Sequence, residues 1–281
     1  INVDHNLSYV KETRFLPNYD TTLSVPESAV ASSYSSWLTK KRDLGDIGLW
    51  QIAMGTTGGR DEIGPYPGVT VRWFYTGDWR AKEIAFTQAD LAGNWRLHLR
   101  EGKGTKKFDK GQTIPALGKP ISIYARPTLW LFDDRYKPVS DDFIAINGTR
   151  ILNPNIYPTT NDGWGSDDAH QPNAFVPQYI LSGDYWYLEQ AQMWVGYFGL
   201  SYNPAYRGPN AAIQGQVRGD AWVVRTRAET AFITPDGIPE KQVYEQLVHD
   251  ALADWEGKRN ITGTQYQGNP AWTWGKGRSA S

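Results

Sequence analysis

Acidic side chains recur along this chain in groups that could supply a catalytic pair of carboxylates. Two carboxylates beside a glycosidic bond can hydrolyse it: one protonates the leaving oxygen, and the other activates water or attacks the sugar directly. An acidic residue that opens a helix can equally cap the free N–H groups of its first turn. Both readings apply to every acid of these groups. In chain order, the acids are Asp61, Glu62, Asp167, Asp168 and Asp220.

A histidine beside the second acidic group supports a different reaction. When the first two acidic groups, at 61–62 and 167–168, are aligned, His170 falls on Gly64. The recurring pattern therefore does not itself require a histidine at this position. With His170 as base and Tyr202 or Tyr206 as acid, elimination next to a uronate becomes possible if a cation neutralises the sugar carboxylate. His170 could instead bond its own loop, and the arginines could pair with neighbouring acids. The candidate arginines are Arg60, Arg207 and Arg218.

Aromatic residues are unusually frequent, with 13 Trp and 16 Tyr, and many lie beside Gly, Pro and Asp. Flat aromatic faces suit sugar rings, while nearby polar groups can bond the hydroxyls. The same aromatics could also wedge helices apart in a core. The predicted catalytic residues are Asp61, Asp167, Asp168, His170 and Tyr206. The predicted substrate-binding residues are Arg60, Trp164, Gln171, Tyr202, Arg207, Arg218, Asp220 and Trp222.

The elements that position these residues can be read from hydrophobic periodicity. Each acidic group precedes an apolar segment, a turn of small residues ending in aspartate, and a second segment with helical spacing. This pattern predicts helical hairpins. A helix of about fifteen residues is roughly 20 Å long, so the acids and the turns lie at opposite ends and the acids share one rim. The three units span residues 69–94, 173–200 and 221–255, with turns at 76–78, 182–184 and 234–236.

Two further regions complete the predicted organisation. A helix is expected over residues 26–38, with Ser24 as its N-cap. Residues 95–165 contain short alternating runs separated by Gly, Pro and Asp, which indicates a β-rich insertion. The runs are 97–100, 121–124 and 143–146.

Composition excludes several classes of function. A net charge of -1 over 281 residues argues against recruitment of nucleic acid. No apolar stretch approaches the length of a membrane span. The absence of cysteine removes disulfides, thiol nucleophiles and thiolate metal sites. The acids beside His170 lack the alternating oxygen ligands of a calcium loop, so we expect no metal and no cofactor.

The hairpins, the acids and aromatics at one rim and the β-rich interruption together resemble the (α/α) toroid enzymes that act on polysaccharides, namely six-hairpin glycosidases and toroid-type polysaccharide lyases. Segments 167–172, 202–208 and 216–222 are also similar to a core found in uncharacterised bacterial proteins. The resemblance implies a mainly α fold: an open or incomplete (α/α) toroid forming a single domain over 1–281, with 95–165 inserted in it. A further domain or chain could complete the ring, and a secreted or periplasmic location is favoured.

The expected partner is therefore a carbohydrate polymer or oligosaccharide. Hydrolysis by rim carboxylates is favoured over elimination because carboxylates outnumber histidines at the predicted rim. Two alternatives stay open. One is a polysaccharide lyase that uses His170, a tyrosine and an arginine, and the other is a non-catalytic carbohydrate-binding or assembly module.

Overall fold

The computed structural model describes residues 6–14, 17–50, 61–94, 97–101, 118–127, 129–131, 171–202 and 217–258. Within these ranges the regular structure consists of eight α-helices and no strand, which confirms the prediction of a mainly helical chain. No helix in the same ranges is long and apolar enough to cross a membrane. The helices are α1 (Leu7–Glu12), α2 (Glu27–Leu38), α3 (Gly68–Thr76), α4 (Trp79–Ala92), α5 (Val176–Ser182), α6 (Tyr185–Ser201), α7 (Val217–Ile233) and α8 (Glu240–Lys258).

The predicted helical segments match these helices to within a few residues. Helix α3 packs against α4, α7 packs against α8, and both α2 and α5 contact α4. Helix α2 begins where it was predicted to begin, but its N-cap is Pro26 and no side chain caps it. The prediction of Ser24 as the cap was therefore wrong. Proline at this position fixes the backbone entering the helix and leaves the first N–H groups without a side-chain acceptor.

The turns at 76–78 and 182–184 are built alike. Gly77 and Gly183 end α3 and α5 in the left-handed conformation, with φ of 62° and 71°. Glycine adopts this conformation without the penalty that a Cβ would bring. The aspartate that follows each glycine then accepts the backbone N–H two residues further on, at 2.8 and 3.0 Å. The first two units thus share two features: a left-handed glycine ends one helix, and the aspartate after it caps the start of the next.

The third unit departs from this pattern. Its turn has Pro235 in place of glycine, and Asp220 lies inside α7 instead of in a turn ahead of the helix. The prediction of a third acidic turn was therefore wrong. Gly219 weakens a helix here without preventing one, and an acid in the first turn suits the positive end of the helix dipole.

Backbone contacts divide the chain into two compact units. The first contains residues 1–96 and 157–191, and the second contains 97–156 and 192–281, so the division falls within α6. The core of the first unit includes five buried side chains: Tyr66, Trp73, Phe74, Ala81 and Ala85. The single toroid-like domain over residues 1–281 stays a prediction.

The described part of the 95–165 insertion contains no strand. Arg100 and Pro120 form one isolated antiparallel bridge, while the predicted run at 121–124 forms no strand and leads into a turn at 123–125. This run packs its backbone on glycines of α6 instead. A Cβ on Gly196 would overlap the backbone oxygen of Ile121, so only glycine allows the approach. The run at 143–146 lies outside the described residues, and a β-rich insertion is not confirmed.

Candidate functional site

A cavity of about 640 Å³ opens within the first unit. This volume falls in the range of small-molecule sites. Its wall is formed by one face of α2, the segment that follows Gly48, the turn that starts at Asp61, and parts of α3 and α4. The lining residues are Ala29, Ser32, Ser33, Ser36, Leu49, Trp50, Asp61, Glu62, Pro67, Val69, Arg72 and Gln88.

Helix α2 presents hydroxyl groups to the cavity because of its sequence spacing. Ser36 lies four residues after Ser32 and three after Ser33, so the three side chains fall on one side of the helix. Val30 and Trp37 lie on the buried side of the same helix. Trp37 Nε1 donates to Glu83 Oε1 of α4 at 3.3 Å, and Tyr34 Oη donates to Glu83 Oε2 at 2.9 Å. These bonds fix the hydroxyl face of α2 in position relative to α4.

Asp61 is the predicted catalytic residue that the cavity contains. Its backbone oxygen accepts the N–H of Gly68 at 2.6 Å, which closes the turn ahead of α3. A Cβ on Gly68 would lie 3.4 Å from the Cβ of Asp61, so glycine allows this close approach. The N-cap of α3 is Pro67, without a side-chain cap bond. Asp61 is exposed, and within the described part of the chain its carboxylate has no hydrogen-bond or ion-pair partner. Capping therefore does not explain Asp61.

Arg72 is the cation of the cavity wall. It lies on α3, and its Nη1 donates to Ser33 Oγ of α2 at 2.7 Å. Among the lining residues that the structure describes, it is the one cation beside the carboxylates of Asp61 and Glu62. The described residues place neither carboxylate in an ion pair with Arg72.

Gln88 on α4 is buried at the cavity wall, with 2 % of its surface exposed. Its Oε1 accepts the N–H of Leu49 at 2.7 Å, and its backbone oxygen accepts Trp50 Nε1 at 2.7 Å. Gly48, with φ of 58°, allows the segment to approach α4 this closely, because a Cβ there would overlap Gln88 Oε1. Gln88 thus joins the loop after Gly48 to α4.

Comparison with known proteins gives no relative. No family model, curated protein or solved structure matches this chain. The functional argument therefore rests on the cavity and its residues.

Other predicted residues lie in the second unit and are buried there. Tyr202 follows α6 with 5 % of its surface exposed, and Asp220 in α7 has 1 % exposed. Both lie near the fully buried Arg227 of α7. Burial lowers the pKa of Arg227 to about 10, while the neighbouring Tyr202 and Asp220 act against that shift. The expectation that Tyr202 and Asp220 line an open rim was wrong in this respect, because both belong to a buried polar cluster.

The cluster around Arg227 extends to α8. Asp250 accepts a hydrogen bond from Tyr124 Oη at 2.7 Å and one from Gln246 Nε2 at 2.7 Å. Asp250 is also one of the charges that face Arg227. A buried guanidinium is tolerated only with such nearby charges and hydrogen bonds, so the cluster has a structural role in this unit.

The remaining predicted residues have varied positions. Gln171, in the first unit, is fully buried. Arg218 and Trp222 lie on α7 and are half-buried, and the guanidinium of Arg225 stands 4.7 Å from the Trp222 ring centre. No group of three or more His, Cys, Asp or Glu in the described part of the chain could hold a metal ion. Seven predicted residues lie outside the described residues: Arg60, Trp164, Asp167, Asp168, His170, Tyr206 and Arg207.

Sequence reasoning missed the serine face of α2 and the roles of Arg72 and Gln88. Gln88 falls at helical spacing among the small and apolar side chains Ala81, Ile84, Ala85, Ala89 and Ala92 of α4. A long polar side chain in an otherwise small and apolar stripe was the available signal, because a buried amide needs hydrogen-bond partners. The spacing of the serines on α2 was a second signal.

Proposed function

We propose that this protein binds carbohydrate in the cavity of the first unit and hydrolyses a glycosidic bond there, with Asp61 and Glu62 as the carboxylates. The observation that carries the proposal is the position of Asp61, an exposed carboxylate without a protein partner in the described chain, on the wall of a cavity lined by hydroxyls and an amide. Sugars offer alternating donors and acceptors, and serine hydroxyls can both donate and accept.

The chemistry requires two carboxyl groups in different roles. One gives its proton to the glycosidic oxygen as the bond from that oxygen to the sugar carbon breaks. The other removes a proton from the water that attacks the sugar carbon, or attacks that carbon itself before water releases the sugar. Asp61 and Glu62 are the two acids that the described part of the chain contributes to the cavity wall. Both are therefore assigned to catalysis.

The proposal is tested by incubating the protein with a panel of neutral and acidic oligosaccharides. New reducing ends and unsaturated ends are measured separately. We expect reducing ends without unsaturation, and a loss of about 10²–10⁴-fold in turnover for Asp61→Asn. Glu245→Gln is the matched control, because Glu245 is an exposed carboxylate on α8 that does not line the cavity. Full activity of the Asp61 variant would reject its catalytic role.

The two roles can be separated with activated aryl glycosides. A variant that lacks the acid keeps activity on a good leaving group, because that group needs no proton. A variant that lacks the base or nucleophile loses activity on every leaving group and regains it with added azide. Glu62→Gln and Asp61→Asn should therefore show opposite patterns. Identical behaviour of the two variants would contradict a division of roles.

The other readings of the sequence become outcomes of the same experiment. Unsaturated ends would indicate elimination and would direct attention to His170. Binding without any new ends would indicate a carbohydrate-binding module.

The proposal extends to the architecture. The packed pairs α3–α4 and α7–α8 support an arrangement of helical hairpins as in an open (α/α) toroid, with a β-rich insertion over residues 95–165. An experimental structure of the whole chain tests this arrangement. Helices that do not alternate between an inner and an outer ring would exclude it.

A further inference from the structure

The loop at residues 38–46 of the first unit exposes two leucines. Leu44, with 94 % of its surface exposed, is the most exposed large apolar side chain in the described part of the chain. Leu38, the last residue of α2, is 51 % exposed. Single exposed leucines are ordinary on a protein surface, but these two belong to one short loop. Because Leu44 buries almost none of its apolar surface against the protein, burial in another apolar environment would be favourable.

The tip of this loop is a turn that is already formed in the free protein. Asp46 donates its backbone N–H to the backbone oxygen of Asp43 at 2.9 Å, and Asp46 Oδ2 accepts the backbone N–H of Asp43 at 2.8 Å. The space around Gly45 is open, since a Cβ there would meet no atom within 4 Å. The turn therefore presents Leu44 away from the rest of the protein, and binding of the tip orders little additional backbone.

Three consecutive basic residues precede the tip, namely Lys40, Lys41 and Arg42. Both lysines are exposed, so their ammonium groups can approach a partner. Within residues 38–46 two acids oppose the three cations, and these are Asp43 and Asp46. Exposed charges act over about 8 Å at physiological salt, so a surface that meets this loop responds to the charges of the loop more than to those of the whole chain.

An apolar tip beside exposed cations fits the surface of an anionic lipid bilayer. The boundary between headgroups and acyl chains accepts an apolar side chain of any shape, while lysine and arginine stay beside the anionic headgroups. Nucleic acid and acidic polysaccharides would attract the same cations, but they offer Leu44 no comparable apolar environment. Even a whole acyl chain gives only weak and reversible attachment, so one leucine with a few cations gives weak attachment too.

We propose that residues 38–46 dock on an anionic membrane surface, with Leu44 inserted at the boundary of headgroups and acyl chains and with Lys40 and Lys41 beside the headgroups. This contact is made with one face of a bilayer and needs no spanning helix. Leu44 and the lysines do not line the cavity, so the docking and the proposed hydrolysis can each fail alone.

The test measures how the full chain partitions onto vesicles in a flotation assay. Vesicles of phosphatidylcholine alone are compared with vesicles that contain about one third phosphatidylglycerol. We expect at least about fivefold tighter binding to the anionic vesicles, and a loss of this preference at high salt. Absence of binding to the anionic vesicles overturns the proposal. Equal binding to both compositions also overturns it, because the cations would then have no role.

Variants of the loop separate the apolar contribution from the ionic one. Leu44→Ser should weaken binding to the anionic vesicles by about tenfold or more, because the inserted side chain is lost. Lys41→Ala should weaken it by about fivefold. The matched controls are Leu252→Ser, at a leucine of α8 that is 49 % exposed, and Lys11→Ala, at an exposed lysine of α1. Both controls should bind like the parent protein.

The variants also give outcomes that would overturn the proposal. Because Leu44 contacts almost nothing, Leu44→Ser should fold, and circular dichroism checks this. Unchanged binding of Leu44→Ser would refute insertion of the tip, and if Lys41→Ala still weakened binding, the contact would be purely ionic, as with an acidic polysaccharide. An equal loss in Leu252→Ser would place the contact on another surface. Release of reducing ends should be the same in Leu44→Ser and the parent protein, which keeps this test independent of the cavity.

Discussion

Substitution of Gly48 tests whether the cavity depends on the close approach of the loop to α4. An alanine Cβ at this position would overlap Gln88 Oε1 and would lie 2.8 Å from Leu91 Cδ1 and 3.0 Å from Trp37 Cζ3. Leu91 and Trp37 are buried, so neither can move aside into solvent. Gly48→Ala should therefore displace Gln88 and destabilise the first unit.

The magnitude follows from three contributions. A non-glycine residue in the left-handed conformation costs roughly 1–2 kcal/mol. Overpacking of a filled core costs typically about 1–3 kcal/mol. Loss of the hydrogen bond from Leu49 to Gln88 removes about 1 kcal/mol more. We expect Gly48→Ala to lower the free energy of unfolding by roughly 3–6 kcal/mol, which is a large part of the usual stability of a domain.

Gly183→Ala is the matched control. Gly183 lies in the same unit with φ of 71°, but a Cβ there would have no atom within 4 Å. This variant therefore carries the backbone penalty alone, about 1–2 kcal/mol. Urea unfolding followed by circular dichroism gives both values from the shift in midpoint at constant slope.

The reasoning is refuted if the two alanine variants lose the same stability. Equal losses would mean that the overlap around Gly48 is relieved at no cost. A second readout is the release of reducing ends from the oligosaccharide panel, which should fall in Gly48→Ala because Gln88 moves at the cavity wall, and should stay unchanged in Gly183→Ala.

Two further predictions concern charged groups. Arg126 Nε and Nη2 each lie 2.8 Å from the carboxylate oxygens of buried Glu101, so Glu101→Gln should destabilise the second unit by about 3–5 kcal/mol in urea unfolding; a loss under 1 kcal/mol would contradict this. Hydrogen bonding from Arg80 lowers the pKa of Asp78, so its carboxylate stabilises the fold above about pH 3.9 and loses that contribution as the pH falls further. Acid titration of Asp78→Asn should therefore show a smaller loss of stability in this range than the parent protein. Asp184→Asn, which changes the matching N-cap without an arginine partner, is the control, and an equal effect would reject the role of Arg80.

The positions of the helices could be predicted because their causes are local. The apolar spacing of the helical segments and the left-handed glycines at 77 and 183 act within a few residues of chain. The same local rules failed at Asp220, where an acid that matched the repeat belongs to a helix. Both a turn and a first helical turn favour an acid, so spacing cannot separate them.

The alternating runs at 97–100 and 121–124 show a different limit. Alternation predicts a strand only if another strand is there to pair with it, and pairing partners are distant in sequence. In this fold the backbone of Ile121 lies against Gly196 of α6, and the chain then turns at residues 123–125 instead of continuing as a strand. The result depends on α6 and not on the run itself.

The candidate site was predictable in part. Asp61 was selected from the sequence as a carboxylate in a turn, and it lies on the cavity wall. The sequence could not show that the Asp61 carboxylate is not used to cap a helix, because this depends on Pro67 being the N-cap of α3. Tyr202 was expected at a rim because its neighbours in sequence are polar, yet the second unit buries it beside Arg227.

The sequence by itself determined the helices, the two matched turns and the carboxylate at position 61, since short-range spacing and backbone preference control them. Only the tertiary structure decided that the serines of α2, Arg72 and Gln88 share one cavity with that carboxylate. The physical reason is that a cavity is formed by side chains from elements far apart in the chain. Their meeting depends on packing contacts such as those at Gly48, which no local pattern encodes.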